Sequence, residues 1–173
     1  NRFLLRNYSD SNRDGLRDSW GIASVDMGNG GNNTFINQGT LVLANSANYA
    51  INPVSANEIY VPADLTSSYA NTDTLTQGQM LGVTRFDHSG VIDLTDGTTS
   101  AGNSLVITGG HTPGKNGGGV FVSNGGRVVA NMKADDKGKS LFSDVMVVDS
   151  ARLGTGGPTT VEINHLGENT ALA

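Results

Sequence analysis

A glycine-rich stretch, Ser104 to Gly119, has the residue types and part of the spacing of a phosphate-binding loop. Gly109 is followed, after four residues, by Gly114 and Lys115, which is the spacing of a loop that wraps nucleotide phosphates. Such a loop also needs a hydroxyl residue after the lysine to hold Mg²⁺, and a helix that begins there. Asn116 stands in the hydroxyl position, and the glycines that follow it are each unfavourable by about 1 kcal/mol in a helix. The pattern therefore indicates a turn between two strands, in which Gly and Asn adopt positive φ.

A second stretch, SDSNRDGLRDSWG, carries oxygen ligands at the spacing of a calcium-binding loop. The glycine in the pattern D-x-N-x-D-G-x-x-D allows a sharp bend that brings side-chain oxygens together. The candidate ligands are Asp10, Asn12, Asp14 and Asp18. Gly21 stands where an EF-hand has its bidentate glutamate, so the stretch is more similar to the short loops of thrombospondin type 3 repeats. It is either a calcium site or a polar turn held by Asx hydrogen bonds, and we expect no other cofactor.

Carboxylates close to a cation are the remaining candidates for chemistry. Cleavage of a glycosidic bond requires two carboxylates about 5–9.5 Å apart. The acidic residues and the cation that lie near one another in sequence are Asp87, Asp93, Asp96 and Arg85. No G-x-S-x-G sequence occurs, so the chain offers no such motif to position a serine nucleophile. We predict that the chain is not an enzyme, and the alternative is a polysaccharide-binding or polysaccharide-cleaving domain.

The composition favours strands and argues against several classes of partner. The 173 residues include 24 glycines, 11 lysines plus arginines and no cysteine, with a net charge of −5. Nucleic-acid binding needs clustered cations, and this charge argues against it. Without cysteine, neither a disulfide framework nor a thiolate metal site can form.

Short bursts of alternating apolar and polar residues, separated by GG, NG, DG and SG turns, predict many short strands. They recur at a spacing of about ten residues, which is typical of all-β folds. The bursts lack the pattern of paired hairpins, and the stretch from Asn37 to Leu43 resembles one rung of a parallel β-helix. In such a solenoid each coil stacks on its neighbours to share a core, and about twenty residues or more per coil would give about six to eight coils.

The stretch from residue 52 to 80 breaks this rhythm and reads as an irregular insert. Loops of that length are often functional, and tyrosines are favoured contact residues. We therefore predict a ligand-binding surface at Tyr60 and Tyr69. The predicted division of the chain is residues 1–90, coils that carry this insert, and residues 91–173, C-terminal coils that end in a cap.

Two blocks in the second half of the chain follow a pattern known from one family. The first contains AGNSLVITGG, a glycine-rich turn and NGG before the next strand, and the second contains SDVMVVDSARLGTGGPTTVEIN. Both resemble the C-terminal part of autotransporter passenger domains, the pertactin-like β-helices. The matching residues are Ala101, Gly102, Leu105, Ile107, Gly109, Gly114, Asn116, Gly117, Ser143, Asp144, Val147, Gly154, Thr160, Val161, Ile163 and Asn164. Met146 and Ser150 depart from the pattern.

The resemblance implies a right-handed parallel β-helix whose final strands form a capping region at its open end. It also implies an autochaperone role, in which the C-terminal coils template the stacking of the other coils during secretion. Repeat energetics favour this role because one stable coil nucleates its neighbours. The residues predicted to form the stacking core of the last coils are Val145, Val147, Val161 and Ile163.

Partners and location follow from the same resemblance. The implied partners are the protein's own outer-membrane β-barrel translocator, the upstream passenger coils, and host-cell or matrix ligands of an adhesin. The implied location is the bacterial cell surface or the medium, reached through the outer membrane. We expect the chain to be a piece of a longer passenger, and its lack of cysteine fits the passage of an unfolded chain.

Overall fold

Strands are the only regular elements in the part of the chain that the structure describes. The computed structural model describes residues 2–6, 8–9, 19–20, 23–44, 75–95, 101–134 and 141–166. No residue in these ranges is helical, which confirms the predicted all-β class. It follows that none of these segments supplies a helix long and apolar enough to cross a membrane.

The strands pair into three sheets that are almost entirely parallel. In chain order they are β1 (Arg2–Arg6), β2 (Tyr8–Ser9), β3 (Ser19–Trp20), β4 (Ala23–Asp26), β5 (Thr34–Asn37), β6 (Thr40–Ala44), β7 (Gln77–Leu81), β8 (Arg85–His88), β9 (Val91–Asp93), β10 (Ser104–Ile107), β11 (Val120–Ser123), β12 (Arg127–Ala134), β13 (Leu141–Ser143), β14 (Val145–Val148), β15 (Ala151–Leu153) and β16 (Thr160–Leu166). The first sheet contains β1, β6, β9, β12 and β16, with β13 antiparallel to the end of β12. The second contains β4, β7, β10 and β14, and the third contains β5, β8, β11 and β15. Strands β2 and β3 form a separate antiparallel pair.

The chain visits the three sheets in a fixed order, which explains how neighbouring strands can be parallel. Parallel strands need a long crossover connection, and here each crossover runs through the other two sheets. We call one passage through the first, second and third sheets a circuit. Circuit 1 is β1, β4 and β5; circuit 2 is β6, β7 and β8; circuit 3 is β9, β10 and β11; circuit 4 is β12, β14 and β15; and β16 begins circuit 5.

One hydrophobic core lies among the three sheets. Because successive side chains in a strand point to opposite faces, alternate residues are buried; in β10, for example, Leu105 and Ile107 are buried between half-buried neighbours. The buried cluster contains Leu5, Ala23, Leu41, Leu43, Met80, Val83, Phe86, Ile92, Leu94, Leu105, Ile107, Phe121, Val128 and Ala130. The core includes residues on both sides of position 90, and the division there stays a prediction.

An aromatic column ties circuits 1 to 3 together on the inner face of the third sheet. Phe35, Phe86 and Phe121 occupy the same register position in β5, β8 and β11. The ring centroids of Phe35 and Phe86 are 5.1 Å apart, and those of Phe86 and Phe121 are 5.3 Å apart. Both pairs are nearly parallel, with interplanar angles of 16° and 13°. The stacked geometry adds a specific attraction to the burial of these rings.

The circuits are longer and fewer than the prediction of six to eight coils. The strands of the first sheet begin at Arg2, Thr40, Val91, Arg127 and Thr160, so the described chain completes four circuits.

The predicted insert also ends too late, because Gln77–Leu81 form β7. Gly78 breaks the apolar alternation there, and a Cβ at this position would lie 2.6 Å from the Leu43 side chain. Because a side chain at position 78 would not fit against Leu43, β7 lacks the apolar–polar alternation that marks the other strands.

Glycines form the corners where the chain leaves the third sheet for the first. Gly126 has a φ of +71°, and a Cβ on it would lie 2.3 Å from the carbonyl oxygen of Gly90. A Cβ on Gly90 would in turn lie 2.1 Å from the carbonyl oxygen of Gly39. The NGG sequence of the first block thus marks a corner at which successive circuits contact each other through their backbones.

Candidate functional site

The two valines of β14 that the sequence assigned to the stacking core point the other way. Val145 and Val147 are 46% and 47% exposed, because the pairing of β14 places them beside the outward residues Ser104 and Val106 of β10. Met146 and Val148 point inward and pack against the core. The prediction was therefore wrong by one residue. The run VMVV is apolar on both faces, so the sequence of the strand alone does not determine which face points toward the core.

The two remaining predicted core residues have the right orientation but are not buried. Val161 and Ile163 of β16 lie beside the buried residues Val128 and Ala130, yet they are 61% and 43% exposed. Leu153 of β15, which pairs with Ser123, is 65% exposed. We call Leu153, Val161 and Ile163 the open face. Among the described residues no strand covers it; β16 extends the first sheet, and the predicted capping region stays a prediction.

A ladder of buried polar residues holds the corner between the first and second sheets. Thr76, Asn103 and Asp144 immediately precede β7, β10 and β14, and all three are buried. The Asn103 side-chain oxygen accepts a hydrogen bond from the Thr76 backbone N–H at 2.8 Å, and Asp144 Oδ1 accepts one from the Asn103 N–H at 2.9 Å. Asp144 Oδ2 also accepts a bond from the Asn131 N–H at 2.6 Å. The side chains of Asn103 and Asp144 thus satisfy backbone donors at a buried corner.

A second ladder holds the corner between the third and first sheets. Asn37, His88 and Ser123 end β5, β8 and β11 at the same register position and are buried. Asn37 Nδ2 donates to the carbonyl oxygen of Val91 at 2.9 Å, His88 Nε2 lies 3.1 Å from that of Arg127, and Ser123 Oγ donates to that of Gly157. Each side chain of one circuit therefore forms a hydrogen bond to a backbone carbonyl at the corner where the following circuit ends.

Hydrogen bonding fixes the protonation state of His88, which is 0% exposed. Asn37 Nδ2 can only donate, so His88 Nδ1, 3.2 Å away, must accept and the proton must sit on Nε2. Burial lowers the pKa of His88, although the bond to the Arg127 carbonyl acts in the opposite direction. The imidazole is thus held neutral, beside the stacked rings of Phe86 and Phe121.

We expect acid to destabilise the fold through this side chain. The pKa of His88 is lower in the folded chain than the unfolded value of about 6.5, so the unfolded chain binds more protons between the two values. The free energy of unfolding should therefore be highest above about pH 6.5 and fall as the pH is lowered through the folded-state pKa. Denaturant unfolding across about pH 5 to 7 measures this dependence.

A matched variant separates His88 from the other titrating groups. Asparagine occupies the equivalent position in circuit 1, so His88→Asn should keep the bond to the Arg127 carbonyl and flatten the pH dependence. His111, which lies 2.9 Å from Asp26 Oδ1 on the surface, serves as the control, and His111→Gln should leave the slope attributed to His88 in place. An unchanged slope in His88→Asn would contradict this assignment.

The glycine-rich loop between β10 and β11 directs its hydrogen-bond donors at a carboxylate of the chain itself. Asp149 Oδ2 accepts hydrogen bonds from the N–H groups of Gly109 and Gly119, at 2.8 and 2.9 Å, and from Thr108 Oγ1 at 3.0 Å. Burial raises the pKa of Asp149, but the hydrogen bonds to its carboxylate lower the pKa by more than burial raises it. The net pKa therefore lies below its ordinary value. The loop is irregular and no helix follows it, which confirms the predicted turn.

The other candidates for chemistry do not converge. Asp87 of the third sheet forms an ion pair with Arg85 at 2.8 Å, and Asp93 of the first sheet accepts from Thr95. Asp96 lies outside the described residues. So do the predicted calcium ligands Asp10, Asn12, Asp14 and Asp18 and the predicted contact residues Tyr60 and Tyr69. Within the described ranges no group of three or more His, Asp or Glu side chains could hold a metal ion.

One polar groove lies on the outside of the corner between the third and first sheets. It has a volume of about 390 Å³ and is lined by Ser89, Gly90, Val91, Gly126, Arg127, Thr160 and Glu162. Arg127 and Glu162 form an ion pair there, with Nη1 2.8 Å from Oε2. The groove could not be predicted from the sequence, because its two charged residues lie 35 positions apart and no local motif joins them.

No protein-family model, curated protein or solved structure matches this chain. Its function is therefore inferred from the corner ladders, the open face and the polar groove.

Proposed function

We propose that the chain is a right-handed parallel β-helix from the C-terminal part of an autotransporter passenger. In this role the later circuits fold first and template the circuits that precede them, and the domain forms part of a surface adhesin or virulence stalk. Its proposed partners are the protein's own outer-membrane barrel, the upstream circuits, and host-cell or matrix ligands. Its location is the bacterial surface or the medium, and no catalytic step is involved.

The direction of the buried corner bonds is the observation that carries this proposal. The N–H of Thr76 in circuit 2 depends on Asn103 in circuit 3, and the N–H of Asn103 depends on Asp144 in circuit 4. At the other corner, His88 in circuit 2 depends on the carbonyl of Arg127, where circuit 4 begins. In these bonds, each of which involves a ladder side chain, the donor belongs to the earlier circuit and the acceptor to the later one. Backbone bonds at the same corners run the other way, for example from the N–H of Ser104 to the carbonyl of Thr76.

This direction gives the circuits an order of formation. A buried N–H group without an acceptor costs about 1–3 kcal/mol, and orphaned N–H groups are rarer in proteins than under-satisfied carbonyls. An earlier circuit that forms without its successor therefore leaves buried donors unpaired. A later circuit that forms first has the acceptor side chains of its ladder in place, although its backbone donors, such as the N–H groups of Ser104 and Asn124, still lack the carbonyls of the earlier circuit. We therefore propose growth from the C-terminal circuits toward the N-terminal ones, in which each new circuit pairs its buried donors with those side-chain acceptors, as templating during secretion requires.

Two core substitutions at opposite ends of the stack test this order. Val128 is buried in circuit 4, and Phe35 packs against the core in circuit 1. We expect Val128→Asp to abolish amide protection in all circuits, measured by native-state hydrogen exchange. Phe35→Asp should remove protection from circuit 1 while the amides of β10, β11 and β12 remain protected. Ile36→Asp, at an outward position that is exposed, is the control and should change neither pattern.

The same variants test the secretion role when the chain is placed before an outer-membrane barrel in a Gram-negative host. Wild type and Ile36→Asp should reach the surface in a protease-resistant form, whereas Val128→Asp should stall. Surface display of Val128→Asp at the wild-type level would contradict the templating role. Loss of protection throughout the chain in Phe35→Asp would contradict the order of formation.

A further inference from the structure

The polar groove is built from three successive corners of the stack. Ser89 and Gly90 follow β8, Gly126 precedes Arg127 at the start of β12, and Thr160 and Glu162 belong to β16. The volume of about 390 Å³ is within the usual range of small-molecule sites, which runs from about 300 to 1,000 Å³. The groove therefore has room for a small ligand or for one or two units of a longer one.

The backbone at the base of this groove is already satisfied, so recognition must come from side chains. The N–H of Arg127 donates to the carbonyl of Gly90 at 2.9 Å, and the N–H of Thr160 donates to that of Gly126 at 3.0 Å. Gly90 and Gly126 have no side chains and cannot gain them without a backbone clash. The polar groups left to meet a ligand are the hydroxyls of Ser89 and Thr160 and the ion pair of Arg127 with Glu162.

The ion pair uses only part of the hydrogen-bonding capacity of Arg127. Its Nη1 donates to both oxygens of Glu162, at 3.0 and 2.8 Å, while no described group accepts from Nε or Nη2. The two side chains are 48% and 45% exposed. A guanidinium has five N–H donors, so three remain for a ligand, and the carboxylate oxygens have further lone pairs.

The paired charges select the class of ligand. An anionic ligand would be repelled by Glu162, and a cationic one by Arg127. A neutral ligand with adjacent hydroxyls avoids both penalties, because one hydroxyl oxygen can accept from Arg127 while a second hydroxyl donates to Glu162. Hydrogen bonds to charged groups are stronger than those between neutral groups.

We propose that this groove binds a neutral saccharide through vicinal hydroxyls held between Arg127 and Glu162. The binding does not depend on the proposed secretion role, although it supplies a ligand class for an adhesin. Ser89 and Thr160 add hydroxyls at the two edges of the groove. The geometry assigns recognition and no bond cleavage, since one carboxylate lines the groove and it is paired with a cation.

The test titrates the chain with three oligosaccharide probes of different charge and follows the Arg127 Nε–H signal by NMR. The probes are maltohexaose, an oligogalacturonate and an oligochitosan. Maltohexaose should bind wild type and shift the Arg127 signal, and Arg127→Gln and Glu162→Gln should each weaken binding about tenfold or more. Arg85→Gln, which breaks an arginine–carboxylate pair on the third sheet, is the matched control and should bind like wild type.

Three results would overturn the proposal: no binding of the neutral probe, preference for a charged probe, or equal binding by the groove variants and wild type. Denaturant unfolding of each variant checks that the fold is intact. Because hydrogen exchange and surface display involve no saccharide, failure of either proposal is distinguishable from failure of the other.

Discussion

Replacing Phe86 by alanine is expected to lower the free energy of unfolding by about 3–5 kcal/mol, the usual cost of truncating a buried phenylalanine. Phe86 is fully buried and stacks on Phe35 on one side and Phe121 on the other. Its loss removes two stacked contacts and leaves a cavity between circuits 1 and 3. Guanidinium unfolding followed by circular dichroism measures the change.

Phe142 supplies the control for this substitution. It lies on β13 and is 52% exposed, so Phe142→Ala should change the stability by less than about 0.5 kcal/mol. A domain of this size has a stability of only about 5–15 kcal/mol, so the Phe86 variant would lose a large part of it. Equal stability of the two variants would show that the aromatic column does not hold the circuits together.

Asp144→Asn should cost about 1–3 kcal/mol, although the two side chains have nearly the same shape. In the wild type Oδ1 accepts from the N–H groups of Gly102 and Asn103, and Oδ2 accepts from the N–H of Asn131. An asparagine has a single acceptor oxygen, so its amide group must point an N–H donor at another donor. The buried corner loses at least one bond and gains a repulsive contact.

The control for this change is Asp93→Asn, because a single oxygen of Asp93 accepts both of its hydrogen bonds. Asp93 Oδ1 accepts from both the N–H and the hydroxyl of Thr95, so an asparagine can keep both bonds through its own oxygen. Chemical denaturation at neutral pH should therefore show little change for Asp93→Asn. If the two asparagine variants were equally stable, the corner ladder would not contribute what its geometry suggests.

Strand positions and the inward face of most strands could be predicted from the sequence, because alternation is a local property. Leu41, Leu43, Ile92, Leu105 and Ile107 are buried as their pattern predicts. The phase of β14 could not be predicted, because both of its faces are apolar and its partner β10 decides which one points inward.

The polar ladders could not be predicted for a different physical reason. Asn103 and Asp144 are of residue types that usually face solvent, and each is buried only because a circuit tens of residues away supplies its donors. The groove has the same origin, since Arg127 meets Glu162 only once β16 lies beside β12. Contacts between circuits depend on where the long connections return, and nothing in the local sequence states that position.

The corner that precedes the second sheet has a consequence for how such a chain can change over time. The chain leaves the first sheet at Ala44, Asp93 and Ser143 and enters β7, β10 and β14 at Gln77, Ser104 and Val145, so the three connections differ in length. Each re-entry is held by the same device, a buried Thr, Asn or Asp joined to its neighbours. Doubling the length of a flexible connection costs only about 0.6 kcal/mol in closure entropy. This edge of the stack is therefore a natural grafting point, where foreign segments can be inserted or exchanged without disturbing the register of the circuits.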